Sequence, residues 1–454
     1  MEKTLKKNQL IDLEITGITQ EGSGVGRFDG MVVFVPTTAP GDRLKVRVVK
    51  VLKSHAFGIV EEIVAPGDSR VQDNCPTYKR CGGCSLRHIS YDEECDIKED
   101  WVRENMSRIG HLKPEYDTMT PAPNPERYRN KAQFFIASVD GEVSTGFYAK
   151  RSHNLIPIWD CVLQPDVFGG IAKEFCEFLN KKGVAPYDEV NHAGLVRGLY
   201  LRISEDTGGV MVCVVINGGG IPGEDELVSR LVNAFPQIET IALNINRRRS
   251  NVILGQEERV LYGDGTISDT LAGIEIAISP QSFYQINHNG AELLYKKALE
   301  YAAPKETDIL FDLYCGTGAI GLSMARYVSK VIGVEVVPDA VADAKLNAAR
   351  NAITNAEFLC ADAAEAVLLL EEKKINPDIV VLDPPRKGVA LETLQCVARM
   401  NPERIVYISC NSATLARDCA RLLELGYETE RVGAFDLFPR TVHCEAVALL
   451  TRRP

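Results

Sequence analysis

The sequence predicts an α/β protein with a small β-barrel at its amino end and a mostly parallel sheet at its carboxyl end. From about residue 279, short apolar runs alternate with helical segments, the pattern of strand–helix–strand units. Two of these runs stop at reactive side chains, at Asp383-Pro384-Pro385-Arg386 and at Ser409-Cys410-Asn411. Because the carboxyl ends of parallel strands meet at one sheet edge, we expect both groups in one site.

The composition describes a large chain without an export signal or a membrane segment. Its 454 residues are 45% hydrophobic, enough to bury the cores of two or three domains. No apolar run follows the charged residues 1–7, and none approaches the roughly 20 apolar residues of a membrane helix. Its 13 cysteines therefore indicate reduced thiols, metal ligands or catalysis rather than disulfides. We expect a cytoplasmic protein with no membrane partner.

Residues 5–65 alternate between apolar and polar on a period of two, which predicts the short strands of the barrel. The predicted strands cover residues 9–15, 31–35, 43–48 and 57–61, and glycines separate the first two. In the third strand, Arg43, Lys45 and Arg47 share one face. Since the formal net charge is −11, RNA binding would need such local basic surfaces. The basic stripe is therefore either an RNA-binding face or a solvated strand face.

The second region opens with three closely spaced cysteines, Cys75, Cys81 and Cys84, in a polar loop rich in glycine. Thiolates at this spacing can converge on one centre, which predicts a metal ion or a cluster. Cys95 and Cys161 are the candidates for a fourth ligand. Spacing alone leaves zinc and an iron–sulfur cluster as alternatives.

The third region carries the features of a nucleotide-like ligand site. Its first strand, at 308–314, runs into a turn at 315–319 whose small residues let a ligand approach the backbone at a helix start. The next strand ends at Glu335, the usual position of a carboxylate that takes ribose hydroxyls. Asp362 ends a third strand, where its side chain could reach an adenine amine.

In combination, these motifs resemble those of the RNA uracil-C5 (5-methyluridine) methyltransferases, which use S-adenosylmethionine. The matching segments are Phe283-Tyr284-Gln285-Ile286-Asn287, residues 312–318, residues 383–388, Ser409-Cys410-Asn411 and His443-Cys444-Glu445. The resemblance extends over essentially the whole chain. It includes the TRAM module and the [4Fe-4S] cluster of the members that act on 23S rRNA.

The resemblance implies a domain organisation and a set of site residues. An OB-like TRAM barrel is expected at 1–67, a central α+β iron–sulfur domain at 68–278 and a Rossmann-like methyltransferase domain at 279–454. Cys410 would be the nucleophile and Glu445 the base. The donor contacts would be Gln285, Tyr314, Glu335 and Asp383, to which the strand-end position adds Asp362. The cluster ligands would be Cys75, Cys81, Cys84 and Cys161.

The chemistry explains why a thiol is needed. Uracil C5 is a weak carbon nucleophile, so a thiolate must first add to C6 and create an enolate. After methylation, a base removes the C5 proton so that the thiolate can leave. The target base must also be extruded from its stack, at a cost that separate RNA-binding domains can offset.

Other functions remain as alternatives at this point. An RNA cytosine-C5 methyltransferase would carry its nucleophile after the prolines, where this chain has Arg386. A methyltransferase of exocyclic amines would favour an aromatic residue there and needs no thiol. A non-catalytic RNA-binding or redox protein would make Cys410 dispensable. We expect methylation of a uridine in structured RNA, in 23S rRNA first and in tRNA as the alternative, and no obligate protein partner is implied.

Overall fold

The computed structural model describes residues 5–150, 152–250 and 252–453. Residues 1–4 of the predicted first domain and residue 454 of the predicted third domain lie outside this part of the chain. Within it, none of the helices is both long and apolar enough to cross a membrane. The strands form three large sheets and a separate hairpin.

The first sheet is the predicted amino-terminal barrel, with strand order β1-β5-β6-β4-β3-β2. Its strands are β1 (Leu10–Glu14), β2 (Gly17–Ile18), β3 (Ser23–Phe28), β4 (Met31–Pro36), β5 (Arg43–Val51) and β6 (His55–Ala65). All four predicted strands are present, and their alternate side chains are buried in one core. The segment predicted to separate the first two strands is itself the strand β3. Gly24 and Gly26 point inward there, where a Cβ on Gly24 would lie 1.9 Å from the Thr38 hydroxyl oxygen.

The basic stripe on β5 is paired with carboxylates of the neighbouring strands. Arg43 lies 3.9 Å from a Glu14 oxygen on β1, and Lys45 lies 3.4 Å from Glu62 on β6. Arg47 lies 2.7 Å from Glu61, also on β6. The stripe is therefore an exposed face of mixed charge, and its role in RNA binding stays a prediction.

A helix and a short strand connect the barrel to the carboxyl-terminal sheet. They are α1 (Tyr91–Arg108) and β7 (Glu115–Tyr116). Ile97 and Trp101 of α1 join the core of the barrel, whereas Val102 and Met106 join the core of the carboxyl-terminal sheet. One helix thus fixes the barrel against the sheet that carries Cys410.

The second sheet is mixed and has the order β10-β9-β8-β11-β12-β13-β14. Its strands are β8 (Lys131–Val139), β9 (Glu142–Tyr148), β10 (Leu155–Pro157), β11 (Val196–Ile203), β12 (Val210–Ile216), β13 (Ile238–Ile245) and β14 (Glu257–Tyr262). The helices α2 (Asp166–Lys182) and α3 (Glu224–Ala234) share an apolar core with it. The three predicted domain boundaries stay predictions.

The third sheet has the order β19-β18-β17-β20-β21-β23-β22-β7, and the hairpin β15–β16 precedes it in the chain. Its strands and the hairpin are β15 (Ile267–Leu271), β16 (Ile274–Ile278), β17 (Ile309–Leu313), β18 (Lys330–Glu335), β19 (Ala356–Cys360), β20 (Ile379–Leu382), β21 (Arg404–Ser409), β22 (Tyr427–Phe435) and β23 (Glu445–Arg452). The helices are α4 (His288–Ala302), α5 (Ala319–Met324), α6 (Pro338–Arg350), α7 (Ala363–Glu372), α8 (Leu391–Met400) and α9 (Ser412–Glu424). The first five strands of the order are parallel, and β23 runs antiparallel to β21.

Candidate active site

The topology of the third sheet brings most of the predicted site residues to one edge. Tyr314, Glu335 and Asp362 stand at or just after the carboxyl ends of β17, β18 and β19. Asp383 and Cys410 follow β20 and β21 directly. These five strands are parallel neighbours, so their carboxyl ends share one edge, as the sequence predicted.

Glu445 reaches the same edge by a different route. It is the first residue of β23, which pairs with β21 in antiparallel register, with Ser409 opposite Ala446. This register sets Glu445 beside Cys410, although the two strands are separated by α9 and β22 in the chain. The predicted nucleophile and base therefore lie together.

Cys410 lies in an open cleft of about 160 Å³. Asn411, the next residue, caps α9 by accepting hydrogen bonds from the N–H groups of Ala413 at 3.1 Å and Thr414 at 3.4 Å. The cap ends the strand at the cysteine and leaves its thiol partly exposed. The thiol is thus held at a fixed point that a large substrate could reach.

Arg386 and His443 form the wall of this cleft next to the thiol. Arg386 Nη2 lies 3.2 Å from His443 Nε2, and Asn411 Nδ2 donates to the Arg386 carbonyl at 3.3 Å. Burial raises the pKa of Cys410, the Glu445 carboxylate adds to this, and the Arg386 guanidinium opposes it. Arg386 is therefore the cation that favours the Cys410 thiolate.

His443 is neutral at pH 7. Burial lowers its pKa to about 4, and the positive charges of Arg386, Lys98 and Arg129 contribute in the same direction. A neutral imidazole beside the thiol can donate or accept a hydrogen bond without adding charge to the cleft. The sequence contained this residue in the segment 443–445, but the motif gave it no role.

Two carboxyl groups next to the thiol have strongly raised pKa values. Burial, with a contribution from the Asp383 charge, raises the pKa of Glu445 to about 8, and its side chain is 6% exposed. Burial also raises the pKa of Asp383 to about 7. A general base is most effective when its pKa lies near the working pH, so both groups are suited to proton transfer.

Gln285 approaches the same group of carboxylates from the segment before α4. Burial raises the pKa of the Tyr295 hydroxyl in α4, the Asp383 charge adds to this, and a hydrogen bond with the Gln285 side chain opposes it. The Gln285 carbonyl accepts a hydrogen bond from Asn130 Nδ2 at 2.9 Å. Gln285 thus links the central region to the site.

The turn after β17 is held in an unusual conformation. Tyr314 has a φ of 67°, which is rare for a bulky residue and clusters at functional sites. Glu335 accepts hydrogen bonds from the N–H groups of Gly316 at 3.1 Å, Val336 at 2.8 Å and Val337 at 2.9 Å. Asp362 caps α7 through the N–H of Ala364 at 2.9 Å and is exposed.

Asp312 is a further carboxyl group of the site to which the sequence gave no role. It lies in β17, is fully buried and accepts a hydrogen bond from the Gly321 N–H at 2.8 Å. Burial raises its pKa to about 7. Its contact positions the first turn of α5 behind the glycine turn.

Two more residues of the cleft come from distant parts of the chain. Gln20 lies between β2 and β3 of the barrel, and Trp101 lies in α1. Trp101 Nε1 donates to the Ile18 carbonyl at 2.9 Å, which joins α1 to β2, the strand that precedes Gln20. No local sequence signal marks either residue, because each reaches the cleft only through the packing of α1 and the barrel on the third sheet.

The four predicted cluster ligands line a single cavity of about 290 Å³, formed by Cys75, Cys81, Cys84 and Cys161 with largely apolar neighbours. Burial raises the pKa of Cys161 to about 11, and the other three thiols contribute to the rise. Cys95, the other candidate, is buried in the core of the third sheet instead. Within the described residues, no three His, Cys, Asp or Glu side chains surround one point closely enough to hold a single metal ion. Metal binding stays a prediction.

The chain is similar to RNA methyltransferases over nearly all of its length. Residues 272–453 match the family described as tRNA (Uracil-5-)-methyltransferase, and residues 5–60 match the TRAM domain. An "Uncharacterized RNA methyltransferase" of Clostridium tetani is 40% identical over 98% of this chain and 97% of its own. A protein of the same description from Streptococcus agalactiae is 41% identical over 99% of this chain and 100% of its own.

A solved structure shows the same similarity in three dimensions. It is the crystal structure of Pyrococcus abyssi tRNA (uracil-54, C5)-methyltransferase in complex with S-adenosyl-L-homocysteine, with a TM-score of 0.78 and 26% identity. The match covers 97% of this chain and 100% of that one. It confirms the predicted α/β methyltransferase fold with an amino-terminal TRAM domain. The chain belongs to the S-adenosylmethionine-dependent RNA uracil-C5 methyltransferase family.

Proposed function

We propose that this protein methylates C5 of a uridine in structured RNA, through a covalent bond between Cys410 and C6 of the base. One observation carries the proposal, namely the antiparallel register of β21 and β23 that sets Cys410 beside Glu445. A thiol next to a buried carboxyl group with a pKa of about 8 places a nucleophile and a base side by side.

The turn after β17 fits the methyl donor. A Cβ built on Gly316 would meet no atom within 4 Å, so the space above the turn is open. When bound there, S-adenosylmethionine supplies an electrophilic methyl group. Glu335 is held by three backbone N–H groups in a position to take ribose hydroxyls. The complete set of donor-binding residues that we propose is Gln285, Tyr314, Glu335, Asp362 and Asp383.

Cys410 performs the first chemical step. Its thiolate attacks C6 of the uracil, and the electron pair of the C5–C6 double bond moves onto C5 and O4 to give an enolate. Arg386 favours the thiolate form through its positive charge. C5 becomes nucleophilic only in this adduct, so without the thiol no methyl group is accepted.

Glu445 performs the last step. Once C5 carries the methyl group, it still holds its hydrogen, and the adduct is stable until that proton is removed. The Glu445 carboxylate takes the proton, the C5–C6 double bond forms again, and the sulfur of Cys410 leaves as thiolate. The raised pKa of Glu445 makes the carboxylate a stronger base than an exposed glutamate.

The RNA that we favour is 23S rRNA, with tRNA as the alternative. The first assignment is supported by the TRAM domain together with the four cysteines, a combination that resembles the 23S rRNA enzymes. The alternative is supported by the P. abyssi structure, whose protein is named for position 54 of tRNA.

We also propose that Cys75, Cys81, Cys84 and Cys161 ligate a [4Fe-4S] cluster. In such a cluster each iron takes one cysteine, so the ligands need to surround a cavity rather than a single point. A cavity of about 290 Å³ with four cysteines in its wall fits that requirement. The cluster would stabilise the loops at residues 75–84 and 161.

The mechanism predicts a trapped protein–RNA complex. With Glu445→Gln, addition and methylation still occur but the C5 proton stays, so the protein remains bound covalently to its RNA. We expect turnover to fall at least about 100-fold, the usual contribution of a general base. A band that resists denaturation on a gel measures the adduct, and it should require S-adenosylmethionine to persist.

Two controls define the result. Adding Cys410→Ala to Glu445→Gln should abolish the band, whereas Glu428→Gln, an exposed acid on β22, should turn over normally. The RNA recovered from trapped complexes in cells identifies the substrate, and we expect 23S rRNA; tRNA would support the alternative. Normal turnover by Glu445→Gln, or a band that survives Cys410→Ala, would contradict the mechanism.

A further inference from the structure

A cluster of three aromatic rings lies on the outer face of the barrel, away from its core. Phe34, His55 and Phe57 form this aromatic patch, with ring centroids 5.4 Å apart for Phe34–His55, 5.7 Å for Phe34–Phe57 and 5.2 Å for His55–Phe57. Phe57 is 37% exposed, and the other two rings are partly exposed. The chemistry proposed at Cys410 makes no use of these rings.

The strand register sets a cation at each side of the aromatic patch. Phe34 pairs with Phe57, and Phe57 pairs with Lys50 on β5, so these side chains form one row across three strands. In the adjacent row, Val32 pairs with His55 on one side and with Arg27 on the other. The patch is thus bordered by Lys50 at one edge and Arg27 at the other.

These two cations differ from the basic stripe of the same barrel. Arg43, Lys45 and Arg47 each lie within 4 Å of a glutamate oxygen. Among the described residues, neither Lys50 nor Arg27 has a carboxylate within that distance, and both are exposed. Lys50 and Arg27 therefore leave positive charge that is not paired with a carboxylate at the border of the aromatic patch, unlike the cations of the stripe.

We propose that the aromatic patch stacks an unpaired base of a single-stranded RNA segment while Lys50 and Arg27 contact the adjoining phosphates. Aromatic rings flanked by cations on a small barrel match the two parts of such a segment, the flat base and the charged backbone. A protein partner would gain nothing specific from cations alone at both edges in a chain of net charge −11. The inference rests on the proposed function, since it takes RNA as the substrate, and it adds a second contact on a different sheet from Cys410.

The test uses the full-length protein and a short oligoadenylate with one 2-aminopurine, whose fluorescence falls when the base stacks. Phe34→Leu/Phe57→Leu keeps apolar volume on the face but removes two of the rings. We expect affinity to fall about tenfold, which corresponds to about 1.4 kcal/mol and to the loss of one stacked base. The quenching of 2-aminopurine should be lost with it.

The matched controls change the same face without removing rings. Ile59→Ala alters a residue of β6 that is 37% exposed, as Phe57 is, and should keep both affinity and quenching. Phe34→Tyr/Phe57→Tyr keeps the rings and should also keep both. If circular dichroism shows that the double leucine variant is not folded, the same measurements are made on Phe57→Leu alone, because that side chain is partly exposed.

The outcomes separate this inference from the proposed function. If the leucine variants keep RNA affinity and 2-aminopurine quenching within twofold of the parent protein, the stacking site is overturned. A patch that binds a protein instead of RNA would give this result. The Cys410→Ala protein should still quench the probe, since it lacks only the thiol. Absence of 5-methyluridine formation by the parent protein would overturn the proposed function while leaving the stacking measurement valid.

Discussion

Three carboxyl groups at the carboxyl edge of the third sheet are placed where ionisation is unfavourable. Burial raises the pKa of Asp312 and of Asp383 to about 7 and that of Glu445 to about 8. The charges also repel one another, since Asp383 contributes to the shift of both other groups. Proteins tolerate such strain mainly at functional sites, which agrees with a base at this position.

The raised pKa of Glu445 predicts how stability depends on pH. Between its ordinary value of 4.5 and about 8, the unfolded chain loses this proton while the folded protein keeps it, so stability falls as pH rises. Above about pH 8 both states are ionised and no further loss follows. Glu445→Gln cannot ionise, so its advantage in unfolding free energy over the parent should grow between about pH 5 and pH 8, by on the order of a few kcal/mol. Urea unfolding at several pH values measures it.

Glu428→Gln, at an exposed position, is the control for that comparison. It removes the same charge from the neighbouring strand β22 without removing a buried carboxyl group. Its stability difference from the parent should stay constant over the same pH range. A constant difference for Glu445→Gln as well would mean that Glu445 is not buried as described.

At the residue scale, the sequence predicted the positions of those site residues that belong to local motifs. Cys410 and Asp383 follow apolar runs, so their places at the sheet edge could be read directly. Glu445 came only from the resemblance, because its position depends on the register of β23 against β21. Gln20 and Trp101 were missed, since they reach the cleft through tertiary packing alone.

At the scale of elements, a buried ion cluster connects α1 to the loop between β22 and β23. Lys98 Nζ lies 2.7 Å from Glu94 Oε1 and 2.8 Å from Asp436 Oδ1, and all three side chains are fully buried. The N–H of Arg440 donates to Glu94 Oε1 at 2.7 Å. This loop leads through His443 to Glu445, so the cluster positions the base of the site.

Replacing the central cation predicts a large loss of stability. Lys98→Met removes the cation shared by Glu94 and Asp436 and leaves only the Arg440 guanidinium, 3.5 Å from Glu94 Oε2, beside the two buried carboxylates, which costs about 3–5 kcal/mol. The same helix offers a matched control in Arg108, which pairs with Glu104 at 3.0 Å but is 74% exposed. Arg108→Met should cost less than about 1 kcal/mol. Equal losses in denaturant unfolding would show that the Lys98 cluster is not desolvated.

Element prediction failed at β3 for a physical reason. Glycines usually interrupt strands, so the segment at 22–26 was interpreted as a separator. Here Gly24 and Gly26 are required because their missing side chains let Thr38 and Leu13 pack against the strand. The pattern of the sequence gives no sign of that close approach, which depends on residues distant in the chain.

At the scale of the molecule, the predicted TRAM barrel at the amino end and methyltransferase sheet at the carboxyl end are confirmed, whereas the central iron–sulfur domain stays a prediction. The sequence could not predict how these regions pack against one another. The helix α1 contributes to the cores of both the barrel and the third sheet, because its two apolar stripes face different partners. The cysteine cavity lies elsewhere and shares none of its four cysteines with those cores. Loss of a cluster would therefore affect the central region first.

The cluster proposal can be tested by metal content. Protein purified without oxygen should contain about four irons per chain. Cys81→Ser should lose the iron and lower the unfolding temperature, because metal binding contributes to folding. Cys95→Ser is the matched control, since Cys95 is 8% exposed and Cys81 is 9% exposed, yet Cys95 lies outside the cavity and should leave the iron in place. Stoichiometric zinc without iron, or loss of iron with Cys95→Ser, would contradict the ligand set.

S-adenosylmethionine binding by the Cys81→Ser protein, measured by calorimetry, should stay near that of the parent, because the turn after β17 belongs to a different core.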